Sequence, residues 1–192
     1  MEVIIIAITS YLVGSIPFGF ILTKIFLKKD IRDIGSGNIG ATNALRTGNK
    51  SLGYGTLLLD VLKAIIPVIY TKLNYPPDYI FITSMFVFIG HVFPLWLKFK
   101  GGKGVAPYVG ILFSINLIYG IVFVSIWIIT FLISKYSSLA SLIASFTIPI
   151  YLLFFNNENL IFFSIMFVLI FYTHRENVKR LKNKEENKTK IY

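Results

Sequence analysis

The chain has 192 residues, 55% of them apolar, and its 14 glycines raise the apolar-plus-glycine share to ~62% against roughly 45–50% in soluble globular chains. Charged residues make up 15% where about 25% is usual, and the mean hydropathy is +0.72, which excludes a water-soluble single domain and makes lipid the solvent for most of the surface. With no cysteine and two histidines, His91 and His174, disulfides, thiolate nucleophiles and multi-histidine metal sites are excluded, and no metal or cofactor is expected.

A bilayer core takes about 20 apolar residues as a helix. In chain order the apolar stretches are Val3 to Leu27, Leu52 to Tyr70, Tyr79 to Leu97, Val105 to Ser134, Leu139 to Phe155 and Leu160 to Thr173. The fourth is too long for one crossing and too short for two full ones. Two crossings fit if Val105 to about Ile115 is a short helix sunk into the protein and Asn116 marks a turn.

Charge decides the parity. Of 19 Lys and Arg, five lie between the first two spans, three follow the third, Lys135 precedes Leu139 and seven lie from Arg175 onward, so alternate connections hold 16 of the 19. The other side has Glu2, Asp78, Glu158 and one cation, Lys72. By the positive-inside rule the basic connections are cytoplasmic, and they stay on one side only if Val105 to Ser134 crosses twice. The expected architecture is an all-α polytopic membrane protein of about seven transmembrane helices, N-terminus outside and C-terminus cytoplasmic, forming one domain over 1–192. The first span is read as a retained helix, because it has no basic n-region and no small-residue cleavage pattern. The net charge of +10 is spread over membrane-flanking loops, so no nucleic-acid partner is expected. The basic tail is either a solvated end that fixes topology or a segment resting on anionic headgroups.

Three cytoplasmic motif loops (31–49, 99–107 and 174–186) carry the candidate chemistry. In the first, Gly35, Gly37 and Gly40 allow close backbone approach, Ser36, Asn38, Thr42 and Asn43 supply short polar groups, and Arg46 offers a guanidinium fork. That set suits a phosphate oxyanion. In the second, FKGGKGVAP, the residues Lys100, Gly101, Gly102, Lys103 and Gly104 open a helix whose first amides point at an anion. The P-loop pattern GxxxxGK[ST] is absent, so phosphate is indicated and ATP is not. In the third, His174 and Asn177 stand at i and i+3 and share a helical face. Within the membrane, Asp60 and Lys63 at i and i+3 read as a structural ion pair or as a wall of the site. His91 reads as a residue orienting the glycine-lysine loop or as a plain interfacial histidine. The HxxxxD pair of many glycerolipid acyltransferases is absent, since Trp96 follows His91 at that spacing and Lys179 follows His174.

GSIPFG at 14–19, SGNIGATNALR at 36–46, LLLDVLKA at 57–64, GHVFPLWLKFKGGKGVA at 90–106 and HRENVKRL at 174–181 together resemble the bacterial acyl-phosphate:glycerol-3-phosphate acyltransferase family in order and spacing along nearly the whole chain. The resemblance implies a multi-pass inner-membrane enzyme with its active site on the cytoplasmic side. It would move an acyl group from acyl phosphate to the 1-hydroxyl of glycerol 3-phosphate, giving lysophosphatidate and phosphate in the first acylation of phospholipid synthesis. It further implies Ser36 and Arg46 as essential in the first loop, Gly101 to Gly104 as the glycerol-phosphate loop, and His174, Asn177 and a tail glutamate, Glu185 or Glu186, in the third. Pro107 stands where the family has threonine, so no hydroxyl is required there. The partners expected are glycerol 3-phosphate, acyl phosphate and membrane lipid. The alternative from another class is a phosphate-ester transporter, which would need polar groups lining a path to the outer side; beyond Lys63 the sequence offers almost none.

Overall fold

The computed structural model describes residues 1–155 and 157–189; of the tail cations, Lys190 lies outside them. The described residues are all-helical and fall into two compact units, Met1–Ile115 and Asn116–Tyr192.

The first unit comprises α1 (Glu2–Gly14), α2 (Phe18–Leu27), α3 (Ala41–Leu45), α4 (Lys50–Asn74), α5 (Asp78–Val92) and α6 (Val105–Ile115), with 3₁₀ turns at Ile31–Asp33 and Leu95–Leu97. The first apolar stretch is not one helix. Pro17 has no amide and disfavours helical geometry at Ile16, so the chain breaks at Ser15–Pro17 between α1 and α2. No charged residue falls between Val3 and Thr23, which is why the sequence reads as continuous there. Glycines set the closest helix pairs. A Cβ on Gly14 would overlap the Val87 backbone of α5, and one on Gly90 would overlap the Tyr11 carbonyl of α1, so these two helices meet backbone to backbone.

The expected short helix is present as α6. Its C-terminal carbonyls have no partners within the helix, and the Lys72 ammonium of α4 donates to those of Ser114 (2.9 Å) and Ile115 (3.1 Å). Asn116 then caps the next helix, its side chain accepting from the Ile118 amide at 2.8 Å.

The second unit comprises α7 (Leu117–Ser134), α8 (Ser137–Phe155), a 3₁₀ turn at Asn157–Asn159, α9 (Leu160–Thr173) and α10 (Arg175–Lys182). Its core is aromatic: Tyr119 meets Phe163 and Tyr151 edge-on, with ring centroids 5.6 and 6.1 Å apart. Trp127 Nε1 donates to Ser141 Oγ across the α7–α8 pair (3.0 Å). Lys135 takes a left-handed conformation between them, φ 64°.

Five helical segments are long and apolar enough to cross a membrane, namely Glu2–Leu27, Lys50–Asn74, Asp78–Leu97, Leu117–Ser134 and Ser137–Phe155; Val105–Ile115 and Leu160–Thr173 are shorter apolar helices. Large apolar side chains such as Ile4, Leu58, Ile66, Ile133, Phe154 and Ile161 stand exposed on these helices, as a lipid-facing surface requires.

Candidate active site

The first loop is built around Asn43. Its Nδ2 donates to the carbonyls of Ile31 (3.1 Å), Ile34 (2.9 Å) and Asn38 (2.8 Å), while its Oδ1 accepts from the Ser36 amide at 2.9 Å. Both ends of that amide are therefore spent on the loop. Asn43 is 2% exposed and shapes the loop, whereas the sequence reading made it a ligand. Asn38 is committed in a similar way, its Oδ1 accepting from the Gly40 amide (2.9 Å), and Thr42 lies in the first turn of α3. Gly35 (φ 55°) and Gly37 (φ 71°) flank Ser36, and a Cβ on Gly35 would come 2.5 Å from Asn43 Oδ1 and 2.8 Å from Arg46 Cδ. Arg46 thus lies across Gly35, and the scaffold leaves Ser36 on the exposed side. Upstream, Arg32 grips Asp30 through Nε and Nη2, the latter at 2.6 Å, and lies 5.1 Å from the centre of the Phe20 ring. The Arg32 hydrogen bond takes the Asp30 carboxyl down to about 2.

The second loop caps α5. Pro94 prevents that helix from continuing, and its orphaned carbonyls at His91 and Val92 accept from the amides of Gly102 and Gly101, both at 3.0 Å. Those two amides therefore serve the scaffold, which narrows the anion-facing donors of the sequence reading. The amides left for an incoming anion are those of the first turn of α6, where no intrahelical carbonyl is in reach. Pro107 removes one of them. Lys100 is exposed and Lys103 half-buried. Gly104 (φ 85°) lies so close to the Phe88 ring that a Cβ would overlap it. His91 is 4% exposed and sits beneath the loop.

The two loops share one floor. Ile31, Ile39 and Ala44 of the first and Leu97 from the approach to the second form one buried cluster, with Phe20 packed against it. Two elements suited to anions are thereby held on a common apolar base.

In the second unit, His174 ends α9 and caps α10. Its Nδ1 lies 2.8 Å from the Ile170 carbonyl. A carbonyl only accepts, so Nδ1 carries a proton, and whenever the ring is neutral its lone pair is on Nε2. Asn177 Nδ2 donates to Glu186 Oε1 (2.7 Å), which also accepts from Ser138 Oγ of α8 (2.7 Å), while Arg180 Nε meets Glu186 Oε2 (2.7 Å). A carboxylate only accepts, so the Asn177 amide has one orientation. Its Oδ1 is buried and has no hydrogen-bond partner among the described residues. Burial raises the Glu186 pKa, but the bonds from Asn177, Ser138 and Arg180 together with the Arg180 charge outweigh it, and the group stays below the usual glutamate value. The tail does not simply run into solvent: the Thr189 amide donates to the Lys135 carbonyl (2.9 Å). Sequence reasoning missed Ser138 and Arg180. No local pattern signals them, since Ser138 and Glu186 are 48 positions apart.

No group of three or more metal-ligating side chains occurs among the described residues. Fold and loops define an all-helical, multi-pass membrane protein with phosphate-suited sites. A family model for glycerol-3-phosphate acyltransferase matches residues 4–184. The chain is 76% identical to the glycerol-3-phosphate acyltransferase of Pelagibacter ubique (strain HTCC1062) over 192 residues, all of both chains, and 48% identical to that of Bradyrhizobium diazoefficiens over 182 residues, 94% of this chain and 92% of the relative. Among solved structures, PlsY (YgiH), an integral membrane glycerol 3-phosphate acyltransferase, superposes in its glycerol 3-phosphate form with a TM-score of 0.92 at 33% identity, covering 98% of this chain and 96% of that one. Its lysophosphatidic acid form gives 0.89 at the same identity, over 98% and 95%. The chain belongs to the glycerol-3-phosphate acyltransferase family.

Proposed function

We propose that this acyltransferase uses acyl phosphate as donor and the 1-hydroxyl of glycerol 3-phosphate as acceptor, at the cytoplasmic face of a bacterial inner membrane crossed by seven helices. The observation that carries this reading is the shared floor of Ile31, Ile39, Ala44 and Leu97, which holds two anion-suited elements together for a reaction with two phosphate-bearing substrates. The family relation and the solved glycerol 3-phosphate and lysophosphatidic acid forms support the acceptor and product. The excess of basic connections supports the sidedness, with α6 and α7 supplying the two crossings of Val105 to Ser134.

Acyl phosphate is a mixed anhydride with a good leaving group, so catalysis is mainly a matter of holding two anions in line and stabilising the oxyanion. The hydroxyl oxygen attacks the acyl carbon, the tetrahedral oxyanion collapses, and the bond to the phosphate oxygen breaks with inorganic phosphate leaving. Lys103 and the first-turn amides of α6, within the Gly101 to Gly104 loop's helix start, hold the acceptor phosphate. Ser36 and Arg46 serve the donor phosphate and the developing charge. Asn177, with its Nδ2 committed to Glu186, presents an acceptor and so suits the attacking hydroxyl better than the oxyanion. The proton passes to a substrate phosphate; the Nδ1–H bond to Ile170, which leaves the lone pair on Nε2, supports His174 as the second reading.

Steady-state kinetics test these roles. Lys103→Ala loses a charge-assisted contact of roughly 1.5–3 kcal/mol and raises the KM for glycerol 3-phosphate about ten- to hundredfold, while Ser36→Ala and Arg46→Ala depress kcat. With phosphate as the base, His174→Gln keeps an ionisation near pH ~6 in its rate profile. A profile that goes flat in that variant, with a loss of about 10²–10⁴ in rate, makes His174 the base.

A further inference from the structure

The buried charges of α4 have no part in that chemistry, yet they lie in one of the segments that carry the family resemblance and touch two others. Lys63 Nζ lies 2.8 Å from Asp60 Oδ1, donates to the Ile16 carbonyl at the α1–α2 break (2.7 Å), and sits 5.6 Å from the centre of the Phe18 ring. Asp60 Oδ1 lies 3.8 Å from His91 Nδ1 on α5. All three side chains are 4% exposed or less. The far edge of the imidazole, Nε2, occupies the space into which a Cβ on Gly102 would project, and the His91 carbonyl accepts the Gly102 amide at 3.0 Å. A buried ion pair stabilises a fold little by itself, because desolvation offsets the attraction. Here its remaining contacts go to a helix break and to the ring beneath a loop, which is an arrangement for orientation.

The geometry points to Asp60, Lys63 and His91 as a positioning unit that sets the Gly101–Lys103 backbone where it meets the acceptor phosphate, with His91 acting through Gly102 and never on the substrate itself. The Asp60 carboxylate faces the Nδ1 edge from 3.8 Å, beyond hydrogen-bond reach, so it acts on the ring by charge and packing, and Lys63 anchors that carboxylate to the helix break. The ring then supports Gly102 from below, while the Gly101 and Gly102 amides hold the loop to α5. Of the two sequence readings of His91, a residue orienting the glycine-lysine loop or a plain interfacial one, its burial and its place beneath Gly102 support the first.

This inference rests on the assignment of the glycine-lysine loop to glycerol 3-phosphate, so Lys103→Ala is measured beside it. The purified full-length protein in detergent is assayed for kcat, for the KM of each substrate and for Tm. His91→Asn keeps a polar atom near the Nδ1 position and withdraws the ring from Gly102. It raises the KM for glycerol 3-phosphate about tenfold or more, leaving kcat and the KM for acyl phosphate within about threefold. Gly102→Ala alone overlaps the ring and also raises that KM. Added to His91→Asn, the same methyl fills the vacated space and lowers it again, a reversal of sign that general destabilisation does not produce. An unchanged KM in folded His91→Asn, or a double variant worse than either single one, overturns the proposal. If His91→Asn does not fold, Gly102→Ala alone decides, and a folded variant with wild-type KM overturns it. Should Lys103→Ala raise the KM while His91→Asn does not, the positioning role alone falls; should Lys103→Ala leave it unchanged, the loop assignment falls and this inference with it.

Discussion

Glu186 orients Asn177 because a carboxylate cannot donate. Replacing it with Gln leaves an amide that either donates or accepts, so Asn177 loses its single orientation; Glu186→Gln lowers kcat by about tenfold or more while the KM for glycerol 3-phosphate moves less. Its pKa is depressed in the folded protein, so its contribution to stability is fully present above the unfolded value of 4.5 and is lost as pH falls through the folded value. The wild-type Tm therefore falls more steeply than that of Glu186→Gln as pH drops below about 5; parallel curves contradict this. The side-chain types were readable from the sequence, and their assignments were less so. Ser36 and Arg46 stand on a loop whose glycines announced it, but whether a short polar group such as Asn43 faces a ligand or its own backbone depends on where three carbonyls fall, and no spacing rule reports that.

At the level of helices, the break at Asn116 was legible because a length of apolar chain conflicted with membrane thickness, a constraint the sequence states directly. The break at Ser15–Pro17 was not, since proline within an apolar run is common in membrane helices and does not by itself say whether the helix kinks or stops. Lys72, which stands apart from the basic connections in the sequence, is accounted for by the C-terminal carbonyls of α6. Lys72→Met leaves them unsatisfied at a cost of about 1 kcal/mol, a drop in Tm of roughly 2–4 °C. Its kcat and both KM values stay within about twofold, because the contact is at the opposite end of α6 from the glycine-lysine loop. A selective rise in the KM for glycerol 3-phosphate would show that this end of the helix also sets the loop.

For the molecule as a whole, the distribution of cations predicts sidedness. Single cysteines at Asn49, Lys100 and Lys184 are labelled from the cytoplasm only, and those at Asn74 and Asn157 from outside only. Labelling of Lys184→Cys from outside means that the Val105 to Ser134 stretch crosses once. Composition, span positions and the three motif loops were available to the sequence because bilayer thickness and charge bias act on local stretches of chain. The clamp on Asn177 and the link from the Asp60–Lys63 pair to His91 were not, because each joins residues far apart in the chain through contacts that only the folded backbone creates; the ion pair itself and an orienting role for His91 were among the sequence readings. The central claim concerns the donor. Purified protein incubated with glycerol 3-phosphate and, in turn, acyl phosphate, acyl-CoA and acyl carrier protein thioester, with lysophosphatidate followed, tests it most directly: the account predicts rapid formation with acyl phosphate alone, and equal or faster turnover with acyl-CoA would contradict it.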